Sequence, residues 1–228
     1  MVRSFRGEQV ITLISKNVTS FFIKNETILG AEREVYEYSF EILFSTLMSL
    51  VAVVMIAIIS KTIIYTLLFL AGFIPLRTVA GGYHAKNHFR CFLILLAVYS
   101  AFLLSITILP TDLLVFITIS CLFITVALVF LLAPSGDENK PIPNVDATHL
   151  KRNSRLLILA YTMVIGITVY FFQNNFLAFS LTMGVFAVGI SLIANKIKYT
   201  VVTNSNAVSR KDVAAIEKET QSNDFGML

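Results

Sequence analysis

The chain has 228 residues, of which 56% are hydrophobic and 14% charged, and its formal net charge is +4. A soluble core of this length needs a polar surface that so few charged residues cannot cover, which excludes the soluble globular classes. The small positive excess fits orientation in a bilayer and calls for no nucleic-acid partner.

In chain order, residues 1–31 contain no uninterrupted apolar stretch and are not expected to act as a secretion signal. Val10, Leu13, Ile14, Val18, Phe21 and Phe22 recur at helical spacing, with Lys16, Asn17 and Lys24 elsewhere on the wheel. This predicts an amphipathic helix, either lying at the inner membrane interface or packed on the protein's own loops. Residues 25–30 break it before the charged lead-in "AEREVYEYSFE".

The apolar residues then come in blocks: 42–59, 62–76, 92–109, 113–133, 156–172 and 176–194. Four blocks have the length needed to cross a hydrocarbon layer about 30 Å thick, and 156–172 stands at the lower limit. Block 62–76 would span only about 22 Å as a helix, so it reads as a short crossing or a re-entrant piece. The polar gaps alternate in Lys and Arg content. Arg3, Arg6, Lys16, Lys24 and Arg33 precede the first block, Lys61 follows it, and Arg77, Lys86 and Arg90 follow the second. The next gap has none, the one after has Lys140, Lys151, Arg152 and Arg155, the next again none, and Lys196, Lys198, Arg210, Lys211 and Lys218 come last. Cytoplasmic gaps retain cations, so the pattern fits six crossings with both ends inside. The expectation is an all-α polytopic membrane protein: a cytoplasmic amphipathic segment at 1–35, a transmembrane catalytic domain at 36–196 and a polar cytoplasmic tail at 197–228. The tail reads as mobile, with a short helix around 213–220.

The gap "RTVAGGYHAKNHFRCF" (77–92) concentrates the reactive side chains. Cys91 stands where the third block begins, preceded by Arg90 and near Lys86. A helix starting near Phe89 puts the thiol in its first turn, where unpaired N–H groups and nearby cations favour thiolate over thiol. His84 supplies a base that titrates near neutrality. Together they are the minimum set for nucleophilic acyl transfer. On one straight helix they would lie about 10 Å apart, too far for proton transfer, so the chain must bend between them or the pair must form between subunits. Gly81 and Gly82 permit such a bend, since glycine adopts backbone angles closed to other residues. Cys121, within "TISCLFIT", has no ionisable neighbour and reads as an apolar filler. A metal site on His84, His88 and Cys91 is disfavoured: Ala85 occupies the glutamate position of an HExxH motif, no carboxylate is close in sequence, and three cations surround the cluster. No cofactor or metal is expected, and His88 is assigned no catalytic role.

At these residues the chain resembles the accessory gene regulator B (AgrB) family, membrane cysteine endopeptidases of Gram-positive peptide quorum sensing. Arg77, Gly81, Gly82, His84 and Cys91 match its pattern of an arginine, a glycine pair, a histidine and a cysteine seven residues further on. "YEYSFEIL" with Glu41, and "APSGDENKPI" with Lys140 and Pro141, are also similar to the family. The resemblance implies an AgrD-type precursor peptide as substrate, with an amphipathic leader, a central segment bearing a cysteine or serine, and an acidic C-terminal tail. It implies attack by Cys91 with His84 as base, release of the tail, and closure of a thiolactone ring. It further implies a homodimer in the cell membrane with its active site on the cytoplasmic side. "GVFAVG" (184–189) offers small residues for a close helix contact of that kind. Arg77 would bind substrate carboxylates or support an oxyanion, or simply snorkel. Lys140, Lys151, Arg152 and Arg155 would hold the acidic tail, or only orient the chain. Glu41 would orient His84 or pair with a cation. The competing reading, a peptide exporter or channel, is weakened by the near absence of ionisable residues in the later spans.

Overall fold

The computed structural model describes the backbone of residues 6–82, 88–135, 144–172 and 175–225, and side chains over 10–82, 92–135 except Asp112, 147–171 and 175–200. Among the described residues there are seven α-helices and no strand. They are α1 (Arg6–Lys24), α2 (Arg33–Ile59), α3 (Ile63–Ala80), α4 (His88–Ile108), α5 (Thr111–Leu132), α6 (Asn144–Ile167) and α7 (Asn175–Phe225). A 3₁₀ turn, Gly30–Glu32, leads into α2, and α6 closes in a π-helical turn, Thr168–Phe172.

Five apolar helical stretches have the length and composition to cross a membrane: Gly30–Ile59, Ile63–Ala80, Leu113–Leu132, Ala147–Phe171 and Asn175–Thr200. In α4 the apolar stretch is Phe92–Ile108. The fold is therefore the expected all-α polytopic one. Phe123, Leu131, Met163 and Ile59 are among many large apolar side chains at the surface, as lipid contact demands.

Two blocks differ from the sequence expectation. The second is longer than its apolar block: α3 continues through Arg77 to Ala80, and its 18 residues reach about 27 Å, still the shortest of the five crossing stretches. An arginine near a span end does not stop a helix, because its long stem lets the charge leave the apolar zone. Likewise α6 starts well before its apolar block, so Lys151, Arg152 and Arg155 ride on helix rather than in a loop. The polar tail also departs from expectation. α7 runs unbroken to Phe225, through the boundary expected at 197, in place of a short helix around 213–220. No glycine or proline occurs between Ile190 and Phe225 to end it.

α7 is the central helix. In its apolar stretch 61% of residues are buried, against 17–33% in the other four crossing stretches. It packs most extensively on α3 and α5. The close approach to α3 is made at two glycines. A Cβ on Gly184 would strike the Phe69 carbonyl, and one on Gly72 would lie 2.6 Å from the Leu181 oxygen. Gly189 faces Leu128 and Thr125 of α5. The small residues of 184–189, read above as a contact between subunits, thus serve packing within one chain. Beside this seam Phe69 stacks on Phe102 at 4.8 Å, with Tyr99 and Phe179 around them. The Tyr99 and Thr66 hydroxyls meet at 2.7 Å.

α1 matches neither alternative alone. Ile11, Ser15 and Thr19 are buried, Phe22 stacks on Phe40 of α2 at 5.7 Å, and Arg33 donates to Ser20 Oγ at 3.1 Å. Val10, Leu13, Ile14 and Phe21 remain exposed. The helix is held by helices rather than loops and still presents an apolar stripe outward.

Two backbone carbonyls of this bundle lack a helical donor. Pro75 lies within α3 and cannot serve the carbonyl of Ala71, four residues earlier; Tyr161 of α6 donates to that oxygen at 2.6 Å. Phe130 is in the last turn of α5, where helix ends leave carbonyls open, and its carbonyl accepts from Arg155 Nη2 at 3.1 Å. A carbonyl left without a partner away from water costs about 1–3 kcal/mol. Tyr161→Phe is therefore expected to lower stability by that order in detergent unfolding measurements, whereas Tyr170→Phe, at the exposed end of α6, should leave it unchanged.

Candidate functional site

The reactive gap begins where α3 ends. Gly81 caps that helix, its N–H bonded to the Arg77 carbonyl at 3.0 Å. Gly81 has φ +75° and Gly82 φ +136°, both in the region that favours glycine. Gly81 forms a parallel bridge with Ser135, just past α5, and the Ser135 N–H donates to the Ala80 carbonyl at 3.0 Å. A Cβ on Gly81 would overlap the Ser135 carbonyl oxygen. One on Gly82 would meet Ser191 Oγ and lie 2.7 Å from Arg77 Nη1. Both glycines are needed for the turn and for the close contacts around it.

Arg77 is half-buried in the last turn of α3. Its Nη1 donates to Ser191 Oγ of α7, and its guanidinium lies 5.8 Å from the Phe73 ring centroid. One turn further along α7, buried Asn195 donates through Nδ2 to Ser135 Oγ at 2.5 Å. These side chains tie the ends of α3 and α5 to one face of α7. Neither expected role of Arg77 anticipates this contact, which holds the start of the gap.

The far side of the gap is α4. It is described from His88 onward, and the backbone of Cys91 is helical in the first described turn. His84 and Lys140 lie outside the described residues. Glu41 is in the third turn of α2 and partly exposed. Lys151 and Arg152 are exposed on α6. Arg155 is turned onto α5, where besides its bond to the Phe130 carbonyl its guanidinium lies 5.0 Å from the Phe130 ring centroid. Cys121, half-buried in the middle of α5, is a free thiol among apolar helices as expected.

A family model described as accessory gene regulator B matches residues 15–193, a stretch that includes the gap and all seven helices in whole or part. The chain belongs to the accessory gene regulator B family. As a family member it is a multi-pass membrane protein of the accessory gene regulator quorum-sensing system, whose partner is a precursor peptide. No curated protein and no solved structure matches the chain.

Three residues at this family's signature gap escape the sequence reading: Ser135, Ser191 and Asn195. A signal was present, because Ser191 and Asn195 stand four apart in "SLIANK", both on one face of an apolar span. Uncharged polar residues there are easily passed over when only ionisable ones are sought. The left-handed turn makes a sharp expectation. Gly81→Ala or Gly82→Ala should cost about 1–3 kcal/mol from backbone angle alone, before any steric overlap. A double-mutant cycle on Arg77→Ala and Ser191→Ala should return a coupling of about 0.5–3 kcal/mol in thermal unfolding. Strict additivity would show that the two side chains do not act together.

Proposed function

We propose that this chain is a membrane cysteine endopeptidase that removes the C-terminal tail of an AgrD-type precursor, with Cys91 as nucleophile and His84 as general base. The observation that supports the reading is the helical backbone of Cys91 in the first described turn of α4. A residue in the first turn of a helix lies among unpaired N–H groups and the positive end of the dipole, where a thiolate is favoured.

In this scheme His84 accepts the Cys91 thiol proton, and the sulfur attacks the carbonyl at the end of the central segment. The C–N bond breaks, and the proton passes from His84 to the departing amine of the tail. The thioester left on Cys91 is then attacked by the precursor's own cysteine sulfur, which forms the thiolactone and returns Cys91. One thioester replaces another, so ring closure is nearly balanced. Water is the competing acceptor, and a partly apolar site at the membrane surface disfavours it.

The supporting parts follow the same logic. Arg77, Gly81 and Gly82 shape the turn that leads to His84. Glu41 orients the histidine or pairs with a cation, and Lys140, Lys151 and Arg152 draw the acidic tail. Arg155, which caps α5, is a secondary contributor to that patch. The distribution of cations puts both chain ends and the gap on the cytoplasmic face of the cell membrane. Segment 1–35 and the polar stretch 197–228 then flank the catalytic domain on that side. The functional unit is a homodimer, and the reaction uses no cofactor or metal.

Cys91→Ala and His84→Ala should each abolish release of the precursor's tail while membrane levels stay constant, and mass measurement should find peptide linked to Cys91 in the native protein. A pure exporter would tolerate both substitutions. Activity should survive a chelator, since a required ion would be stripped by one. Reversing Lys151 and Arg152 to Glu, with Arg155 kept, should weaken tail release and leave insertion unaltered; unchanged cleavage would reject tail docking at α6.

A further inference from the structure

Beside the Gly81–Ser135 bridge a cleft of about 250 Å³ opens between the end of α5 and the inner half of α7. Its apolar wall is Leu131, Leu132, Pro134 and Leu192. Ser135, Asn195 and Lys196 supply its polar side. We infer that this cleft is a subsite for the precursor, seating an extended segment that lays an apolar side chain on the leucines and a carboxylate against Lys196. The occupant's identity rests on the protease reading above.

Size, position and chemistry each narrow the occupant. A pocket for a drug-sized ligand measures roughly 300–1,000 Å³, so this one takes a side chain or two of a longer molecule. Ser135 belongs both to the cleft and to the bridge with Gly81. Gly81 opens the glycine turn at the end of α3, so an extended peptide with one residue in the cleft passes the start of the gap within a few further residues. The walls are mixed in a way that suits a peptide. Leucines meet an apolar side chain and exposed Lys196 meets a carboxylate, beside the Asn195–Ser135 bond that fixes the cleft's shape. An anionic lipid offers the same two chemistries, so adducts with lipid alone are the competing outcome of the test.

The test uses the full chain in vesicles of mixed neutral and anionic lipid, with a synthetic AgrD-type precursor. A photo-reactive benzoylphenylalanine at Leu131, which is 80% exposed on the rim, is placed in the Cys91→Ala protein so that the peptide is not consumed. Illumination should yield an adduct with the mass of protein plus precursor. In the Cys91 protein, Lys196→Glu should raise KM for the precursor about three- to tenfold, as loss and reversal of a partly exposed ion pair implies, with kcat changed less than twofold. A precursor with the partnering acidic residue changed to Lys should recover the lost KM. Adducts with lipid alone, or an unchanged KM in Lys196→Glu, overturn the subsite. A protein that cross-links the precursor but never cuts it keeps the subsite and removes the protease reading. One that cuts normally with neither adduct nor KM shift does the reverse.

Discussion

In a hydrocarbon layer each backbone carbonyl must find its donor within the protein, because no water is there to supply one. This constraint governs how the bundle is arranged around the gap. Pro75 leaves the Ala71 carbonyl without its helical donor, the end of α5 leaves that of Phe130 open, and both times a side chain of α6 fills the place. Tyr161 thereby fastens α6 to the middle of α3, and Arg155 fastens it to the end of α5. These two helices end at Ala80 and Leu132, from which Gly81 and Ser135 emerge to form the one β-bridge among the described residues. The helix that fills these two places is thus the helix that holds both sides of the bridge.

α7 performs the complementary task through one face. Gly184, Val188, Ser191 and Asn195 stand four, three and four residues apart, a spacing that keeps them in line along a helix. At the apolar level Gly184 lets the α3 backbone come close, and dispersion across a dense seam supplies the attraction that lipid exposure would otherwise match. Val188 is fully buried in the cluster formed with Leu76, Ala80 and Leu192. Further along, where the chain leaves regular helix, Ser191 and Asn195 bind Arg77 and Ser135. The same stripe changes from small to polar where its partner changes from helix to turn. Irregular backbone at this depth needs protein partners, and α7 provides them.

Much of this architecture can be read before any coordinates. The blocks of apolar residues mark the helices that cross, and the alternation of cations orders them. The family motif singles out Gly81, Gly82, His84 and Cys91, and the helix that carries Cys91 follows from the return of apolar residues at Phe92. The differences share one cause. Block edges are not helix edges: α3 passes Arg77, α6 begins before Lys151, and α7 continues to Phe225. Hydropathy reports where a helix meets lipid, whereas a helix ends where its backbone hydrogen bonds end.

By itself, then, the sequence determined the class of the protein and its family and singled out candidate reactive residues, because burial in lipid and residue chemistry are local properties written position by position. Only the tertiary structure decided what the polar and small residues of the later spans are for. That Gly184 packs on Phe69, that Arg77 turns to Ser191, and that Tyr161 and Arg155 reach open carbonyls of α3 and α5 are facts about pairs far apart in the chain. A hydrogen bond between helices needs both partners at one height on facing sides. Crossing angle and register set that height, and a periodicity measured along one helix contains neither.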